Sequence, residues 1–379
     1  MTDILVIGAG PVGATFALLA HAHGLRVSLL DARQGPSTES RTLALSHGSR
    51  VLLERAGGWL AETAVTPIHA IHTSQKGGFG KVMLTREDAG VPALGYVVRY
   101  SALQDTLDRA LTRANISVAY GARVSSIDAH SGELVYDAGG REQRVRASLL
   151  VMADGGANLD KLAAVTVDEK DYAQSAMLGH LVADRAHGNV AYERFTSEGP
   201  IALLPSLGGA THYSMVWVAP HDKIDALMAA DDESVKALFQ RHFGRRAGQF
   251  LTLTNRRRYP LKLRQTSTRV IGKLAIIGNA AQAMHPVAGQ GFNLGLRDAA
   301  VLASTLAESA DTTAALLSYA AARDVDIARG VGFTDLLASL FANDSTMLRL
   351  PRGIALAALD MLPGARRALA SRMLFGSRS

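Results

Sequence analysis

Cysteine is missing from all 379 residues of the chain. That absence excludes disulfides, thiolate metal centres, iron–sulfur clusters and any redox dithiol, and with them disulfide-reductase chemistry. Tryptophan is scarce, occurring only as Trp59 and Trp217. No apolar run reaches the roughly 18 residues of a membrane-spanning helix. The apolar start does not read as a secretion signal either. Asp3 stands where basic residues belong, and Gly8, Gly10, Pro11 and Gly13 interrupt the run. A cytoplasmic chain is expected, with a peripheral seat at the inner membrane surface left open. The net charge of +6 and the pI of about 9.6 suit nucleic acid, anionic lipid or an acidic substrate and choose among none of them. No nucleic-acid-binding module accompanies the charge, so no nucleic-acid partner is expected.

What is present, at 48% hydrophobic and 20% charged residues, describes an ordinary globule. The length fits one large domain or two interleaved ones. Asp3-Ile4-Leu5-Val6-Ile7 is an apolar run of strand length, followed by Gly8-Ala9-Gly10-Pro11-Val12-Gly13 and a helical run from Ala14 to His23. Gly24 ends that helix, and Arg26 to Leu30 reads as a second parallel strand ending at Asp31, 18 residues past Gly13. Strand, glycine turn, helix, strand and acid together form the dinucleotide fingerprint. Gly8 would permit the tight turn, Gly10 the approach of a pyrophosphate and Gly13 close helix–sheet packing, while Asp31 could accept ribose hydroxyls. The fingerprint alone leaves NAD and FAD equally open.

A second glycine-rich stretch organises the rest of the chain. Lys273 to Ile277 reads as a short buried strand broken at Gly278; Asn279 to His285 and a loop stiffened by Pro286 lead to a helix starting at about Gly291 to Asn293. Gly289, Gly291 and Gly295 would let the backbone approach something flat or anionic, with the freed N–H groups of the helix start facing it.

Between these stretches, Arg41 in Ser40-Arg41-Thr42-Leu43-Ala44-Leu45-Ser46 could meet a phosphate or remain a solvated loop arginine; a helix over His47 to Ala56 follows. Pro67 to Lys81 suggests a hairpin at Gly77-Gly78 belonging to a second sheet. Gly95 to Tyr100 reads as a strand, Ser101 as the N-cap of a helix over Ala102 to Arg113, and Gln104 lies in its first turn. Ile116 to Tyr120 and Ala122 to Ala129 resume the first domain, with Val124 near the expected adenine edge. A hairpin over Leu134 to Val145 turns at Gly139-Gly140, and the strand Ser148 to Ala153 delivers Asp154 to the carboxyl edge of the sheet, where such folds bind ligands. Gln174 to Ala219 alternates as an antiparallel sheet able to roof a pocket. Arg256-Arg257-Arg258 reads as a solvated sheet edge in preference to an anion site. From Phe292 onward helices are expected, over Asn293–Ser309, Thr312–Ile327, Val331–Phe341, Leu348–Met361 and Pro363–Phe375. The last 35 residues hold six arginines against one acid, Asp360. Such an end can lie on an anionic membrane, dock into a biosynthetic complex, or pack on the body with its arginines in water.

With these signatures assembled, the whole chain resembles the FAD-dependent aromatic hydroxylases, most closely the branch that hydroxylates ubiquinone precursors. The match rests on the Gly8–Gly13 turn with Asp31, the Arg41 run, the Gln104 run, Ala153-Asp154-Gly155, and His285-Pro286-Val287-Ala288-Gly289-Gln290-Gly291-Phe292-Asn293-Leu294-Gly295. The resemblance implies an α/β fold, in which a Rossmann-like FAD-binding domain (1–65, 96–173 and 265–310) interleaves with an antiparallel-sheet substrate domain (66–95 and 174–264) and a C-terminal helical region (311–379). It implies FAD contacts from Gly8, Gly10, Pro11, Val12, Gly13, Asp31, Arg33, Arg41, Gln104, Val124, Asp154, Asn279, Pro286, Gly289, Gly291, Phe292 and Asn293. Pro286, Gly291 and Phe292 would form the flavin-facing catalytic loop. NADH or NADPH would donate electrons and O2 would be co-substrate, acting on an aromatic, lipophilic small molecule; no metal is implied. Two departures stand out: Asn279 replaces the family's usual aspartate, and Asn158 and Lys161 replace a serine and an arginine after Ala-Asp-Gly. No general base is assigned, since His180, His212 and His285 are candidates by residue type only. Other readings keep the fold but make a flavin reductase or a halogenase, although the Trp-x-Trp-x-Ile-Pro run expected of a halogenase is absent, or a non-catalytic FAD-bound subunit of a biosynthetic assembly.

Overall fold

The computed structural model describes residues 3–78, 80–283, 290–326 and 360–375. Its first strand, Asp3–Ile7, lies inside a six-stranded sheet between Leu149–Met152 and Arg26–Asp31. Ser117–Tyr120 extends one side, while Leu274–Ile276 and Val270–Ile271 extend the other; only that last edge pairing is antiparallel. Alternate residues of the first strand serve two cores. Ile4 and Val6 pack among the helices, whereas Leu5 and Ile7 pack with Leu134 and Ala147 on the opposite face. A parallel strand covered on both sides has no polar face, which explains the unbroken apolar run.

Pro11–Ala22 follows with proline in its first turn, where the missing N–H costs nothing. Gly8 sits at φ +101°, and a Cβ there would meet the Ala153 and Asp154 backbone at 2.8 Å. A Cβ on Gly13 would lie 2.0 Å from the Gly8 carbonyl oxygen. These two positions therefore carry the turn and packing roles expected of them.

Two expectations are corrected, and a third, which left the sheet of one strand open, is completed. The helix Tyr100–Arg113 starts before Ser101, with Arg99 at the N-cap and no side-chain cap; the strand Gly95–Arg99 runs straight into it, and the Tyr100 N–H donates to the Arg41 carbonyl at 3.0 Å. Arg123–Asp128 leaves the parallel sheet for a separate antiparallel meander with Glu133–Ala138 and Arg141–Arg146. The arginine triplet is not simply a solvated edge. Arg256 donates to the carbonyls of Leu227 (2.5 Å) and Ala230 (2.7 Å) and pairs with Asp232, while Arg258 pairs with Asp225 at 2.8 Å. They clasp the helices His221–Ala229 and Asp232–Phe243 to the strand Phe250–Thr266.

That strand belongs to an eight-stranded sheet ordered Gln282–Ala283, Phe250–Thr266, Val167–Ala183, His212–Pro220, Gly199–Pro205, Val190–Thr196, Ala70–Gln75 and Lys81–Thr85. All its pairings are antiparallel except Ala70–Gln75 on Val190–Thr196. Its outer face buries Trp217, Phe239, Phe243 and Phe250 against the two helices. Its inner face meets a three-stranded sheet of Thr42–Ser46, Gly95–Arg99 and Val65–Ile68, through Ile68, Val97 and Ala191 and through a Thr42–Ser214 hydroxyl contact of 3.2 Å.

The helix Gln290–Glu308 packs on Pro11–Ala22, and another helix runs over 312–326. Asp298, fully buried, accepts from the Gly278 N–H at 2.9 Å, from Gln282 at 3.2 Å and from Arg323 Nε at 2.6 Å. Arg323, itself 2% exposed, also holds Asp326 at 2.5 Å. The expected helices over Val331–Phe341 and most of Leu348–Met361 fall outside the described residues; Pro363–Phe375 is a helix.

Asp298→Ala would leave the Arg323 guanidinium buried beside Asp326 alone and the Gly278 N–H without its acceptor. A loss of about 3–5 kcal/mol is expected in urea unfolding; a loss below about 1 kcal/mol would show that the cluster carries little of the stability.

Candidate functional site

A cleft of about 640 Å³ opens at the carboxyl edge of the parallel sheet. It is lined by Gly8, Gly10, Pro11 and Val12 of the first turn with Asp31 and Val124, and by Asn279 and Phe292 of the second stretch. Arg41 and Asp154 line its flanks. Two segments far apart in sequence thus line one space.

Local geometry explains how each wall is set. Gly10 is the N-cap residue at φ −62°, ψ 173°, and a Cβ there would have the Tyr100 hydroxyl, 3.8 Å away, as its nearest neighbour. The absent side chain therefore leaves open space at a helix N-terminus, which is what an anionic phosphate bridge requires. Asp31 accepts from the Ala9 N–H at 2.6 Å and the Arg33 N–H at 2.7 Å, so its carboxylate is fixed at the strand end. Arg41 stacks over the Tyr100 ring at 4.7 Å and pairs with Glu39 at 2.9 Å. Burial raises the Tyr100 hydroxyl pKa above its ordinary value, with Arg41 working in the opposite direction, and the phenol stays a neutral donor at the cleft wall.

Beside the glycine turn, Asp154 accepts from the Gly156 N–H (2.8 Å), the Asn158 N–H (3.0 Å) and the Asn158 side-chain amide (2.6 Å). Asn158 in turn accepts from Lys161 at 2.8 Å. Asn158 and Lys161, the second departure noted in the sequence, therefore form one chain of contacts anchored on Asp154, and all three residues line the cleft. Asn279, exposed in the short turn Gly278–Ala280, presents its amide to the same space.

Other expected contacts are spent elsewhere. Gln104 is buried and donates to the Ala9 carbonyl and to Asp108, both at 2.8 Å, bracing the glycine turn from behind. Arg33 makes a two-pronged pair with Asp108 at 2.8 and 3.0 Å, which holds its guanidinium charged. Asn293 accepts from the Ser46 N–H and the Ser49 hydroxyl and donates to the Ala44 carbonyl. Gly295 is tight against protein, not ligand: a Cβ there would lie 3.0 Å from Val12 and 3.1 Å from the Gly278 Cα. Gly13 packs against Gly8 behind the cleft, and Gly291 begins the helix without lining it. Pro286, Gly289 and His285 lie outside the described residues. His180 and His212 do not line the cleft.

Sequence reasoning passed over Tyr100 and Asp298. The first gave no signal, being one aromatic at a strand end. The second did: an acid inside the apolar run Leu294 to Ala303 is out of place unless it is buried with partners.

The family described as FAD binding domain matches residues 1–331. The chain belongs to that family. It is an FAD-dependent monooxygenase of the aromatic-hydroxylase kind. Ubiquinone hydroxylase UbiL of Rhodospirillum rubrum is 30% identical to it over 97% of this chain and 88% of its own length. The 3-demethoxyubiquinol 3-hydroxylase of Escherichia coli is 28% identical over 95% of each chain. The solved p-nitrophenol 4-monooxygenase PnpA from Pseudomonas putida superimposes with a TM-score of 0.79 over the whole of both chains at 17% identity, which establishes the shared fold. The open cradle at Gly10 and the fixed acid at Asp31 fit FAD.

Gly10→Ala and Gly13→Ala should separate binding from folding. The first places a methyl in open cleft, and its apo stability is expected to stay within about 0.5 kcal/mol of wild type while FAD affinity, read by flavin fluorescence, falls at least tenfold. The second collides with the Gly8 carbonyl and is expected to lose 1–3 kcal/mol or more in thermal unfolding. Undiminished FAD binding by Gly10→Ala would remove the pyrophosphate from that turn.

Proposed function

We propose that this monooxygenase hydroxylates the ring of a polyprenylated phenol or quinone precursor in ubiquinone biosynthesis, using NADH or NADPH and O2. The observation that carries the reading is the single cleft joining the Gly8–Val12 turn to Asn279 and Phe292. The names of the relatives, both hydroxylases of ubiquinone or its precursors, support the substrate class.

In this reading the Gly8–Gly13 turn receives the pyrophosphate, Asp31 the adenosine ribose, Val124 the adenine by its backbone, Arg41 and Asn279 the ribityl-phosphate portion, and Phe292 the ring end, with Pro286, Gly289 and Gly291 completing that loop. Gln104, Arg33 and Asn293 act by bracing these groups. Asp154, with Asn158 and Lys161, stands where the nicotinamide donor would be recognised. Bound FAD supplies two-electron reduction by the nicotinamide and activation of O2. The protein's own share is to hold the substrate ring, exclude water beneath the eight-stranded roof, and present the N-terminus of Gln290–Glu308 to negative charge. We divide the chain into a flavin domain (1–65, 96–173, 265–310), a substrate domain (66–95, 174–264) and C-terminal helices (311–379).

A lipophilic substrate also supports a peripheral seat on a membrane. No described helix is long and apolar enough to cross one. Ala370 and Leu374 of Pro363–Phe375 pack into the body and Arg366 pairs with Asp88 at 3.2 Å, but Met361 and Leu362 are 80% and 57% exposed beside Arg367. Binding to vesicles rich in phosphatidylserine that falls with salt, and falls again in Met361→Ser/Leu362→Ser, is expected; equal binding to neutral vesicles would contradict an electrostatic seat.

The deciding assay is NADH or NADPH oxidation with a 2-prenylphenol, followed by mass spectrometry of the extracted product. A gain of one oxygen atom, with oxidation stimulated by the phenol, is expected. Hydrogen peroxide as sole product with every phenol tried would refute the hydroxylase reading.

A further inference from the structure

The helix Gln290–Glu308 serves two separate spaces. Phe292 lies in the cofactor cleft, whereas Arg297, Ala300 and Val301 line a groove of about 780 Å³. Among the described residues the two spaces have no lining residue in common. The other walls of the groove include Val51 and Leu52 of the helix His47–Arg55, Val325 of the helix over 312–326, and Leu374 of Pro363–Phe375. Four helices thus surround a largely apolar space of the size that takes a small molecule.

The charges set into this space are unbalanced. Arg55, Arg297 and Arg323 line it against one carboxylate, Asp326. Arg323 is 2% exposed, and its Nε donates to Asp298 and its Nη1 to Asp326. Among the described residues its Nη2 is buried with no hydrogen-bond partner. The side chain of Arg297 is 20% exposed and, among the described residues, makes one charged contact, 3.4 Å to the same Asp326 oxygen that Arg323 holds. Burial keeps the Arg297 pKa below its ordinary value; Asp326 works against that shift and Arg323 adds to it. One carboxylate oxygen shared by two guanidiniums leaves most of their N–H donors unanswered beside apolar walls, where an unpaired charge is costly. Arg55 adds an exposed cation at the end of its helix. Asp298 does not line the groove, and its other oxygen serves the Gly278 N–H and Gln282. Even with Asp298 counted, three cations meet two carboxylates, and a single negative charge completes the balance.

We propose that this groove binds a long-chain carboxylate, its head on Arg297 and its chain along Val51, Leu52, Val301 and Leu374. A carboxylate carries the one charge the groove lacks, and its two oxygens match the fork of a guanidinium. A phosphate monoester carries up to two charges and would set the second against Asp326. The chain replaces water on apolar walls, which supplies the rest of the affinity. The site is independent of the ring-hydroxylation reading, because it lies on the far face of Gln290–Glu308 from the cleft that Phe292 lines.

The test is isothermal titration of the FAD-loaded full chain with dodecanoate at about pH 8, where the acid is ionised. One site per chain is expected, and dodecan-1-ol should bind at least about tenfold more weakly than dodecanoate. Arg297→Gln should lower dodecanoate affinity about tenfold while leaving that for dodecan-1-ol unchanged. Ala321→Trp, which fills the groove from an exposed position on its rim, should abolish binding of both and leave flavin fluorescence as in wild type. Equal affinity of the wild type for acid and alcohol, or binding of neither, overturns the inference, and this holds whether or not Arg297→Gln folds. Undiminished dodecanoate binding by Ala321→Trp overturns it too, since the ligand then sits elsewhere. Tighter binding of dodecyl phosphate than of dodecanoate would overturn the assignment of a singly charged head. Self-association of the chain that dodecanoate does not reverse, and that Ala321→Trp abolishes, would give the groove to a second copy instead.

Discussion

A fully buried carboxylate fixes the second glycine-rich stretch beside the cofactor cleft. Asp298 takes hydrogen bonds from the Gly278 N–H, Gln282 and Arg323 at once. Through the first it fixes the break at which the strand Leu274–Ile276 turns towards Asn279; through the third it draws the helix over 312–326 onto Gln290–Glu308. A buried charge with this many partners tolerates no loose arrangement, because each lost contact exposes the full desolvation cost of the others. The position of Phe292, six residues earlier on the same helix, is set by this anchor as much as by its own packing.

A second layer of the same logic surrounds the cleft. Side chains that resemble ligand contacts by type are hydrogen-bonded to protein backbone: Gln104 to Ala9, between the lining residues Gly8 and Gly10, and Asn293 to Ala44 and Ser46. Glycines divide similarly. Gly8, Gly13 and Gly295 let protein approach protein, and Gly10 alone of these leaves room for something else. The cleft keeps its shape because bracing is done by buried amides whose hydrogen-bond capacity is already used.

Much of this was readable from the chain. The first strand, the glycine turn and Asp31 could be placed because their spacing follows from local geometry, and Arg41, Asp154, Asn279 and Phe292 do meet in one space. What resisted reading was direction. Nothing in Gln104 or Arg33 says whether the side chain points to a ligand or to a neighbouring loop, since that depends on partners far along the chain, Ala9 for Gln104 and Asp108 for Arg33. The helix start at Tyr100 was misplaced because serine is a common cap, whereas here the strand supplies the entry angle. The parallel pairing of Val190–Thr196 with Ala70–Gln75 was invisible because its two strands lie more than a hundred residues apart.

That pairing has a consequence for how the protein can be made and altered. The roof needs a hairpin synthesised long before its other neighbour, so the nascent chain must hold the free edge of Ala70–Gln75 open until Val190–Thr196 emerges. Any attempt to exchange substrate pockets between relatives by moving a single contiguous block would leave this strand behind, and a working chimera must carry both segments.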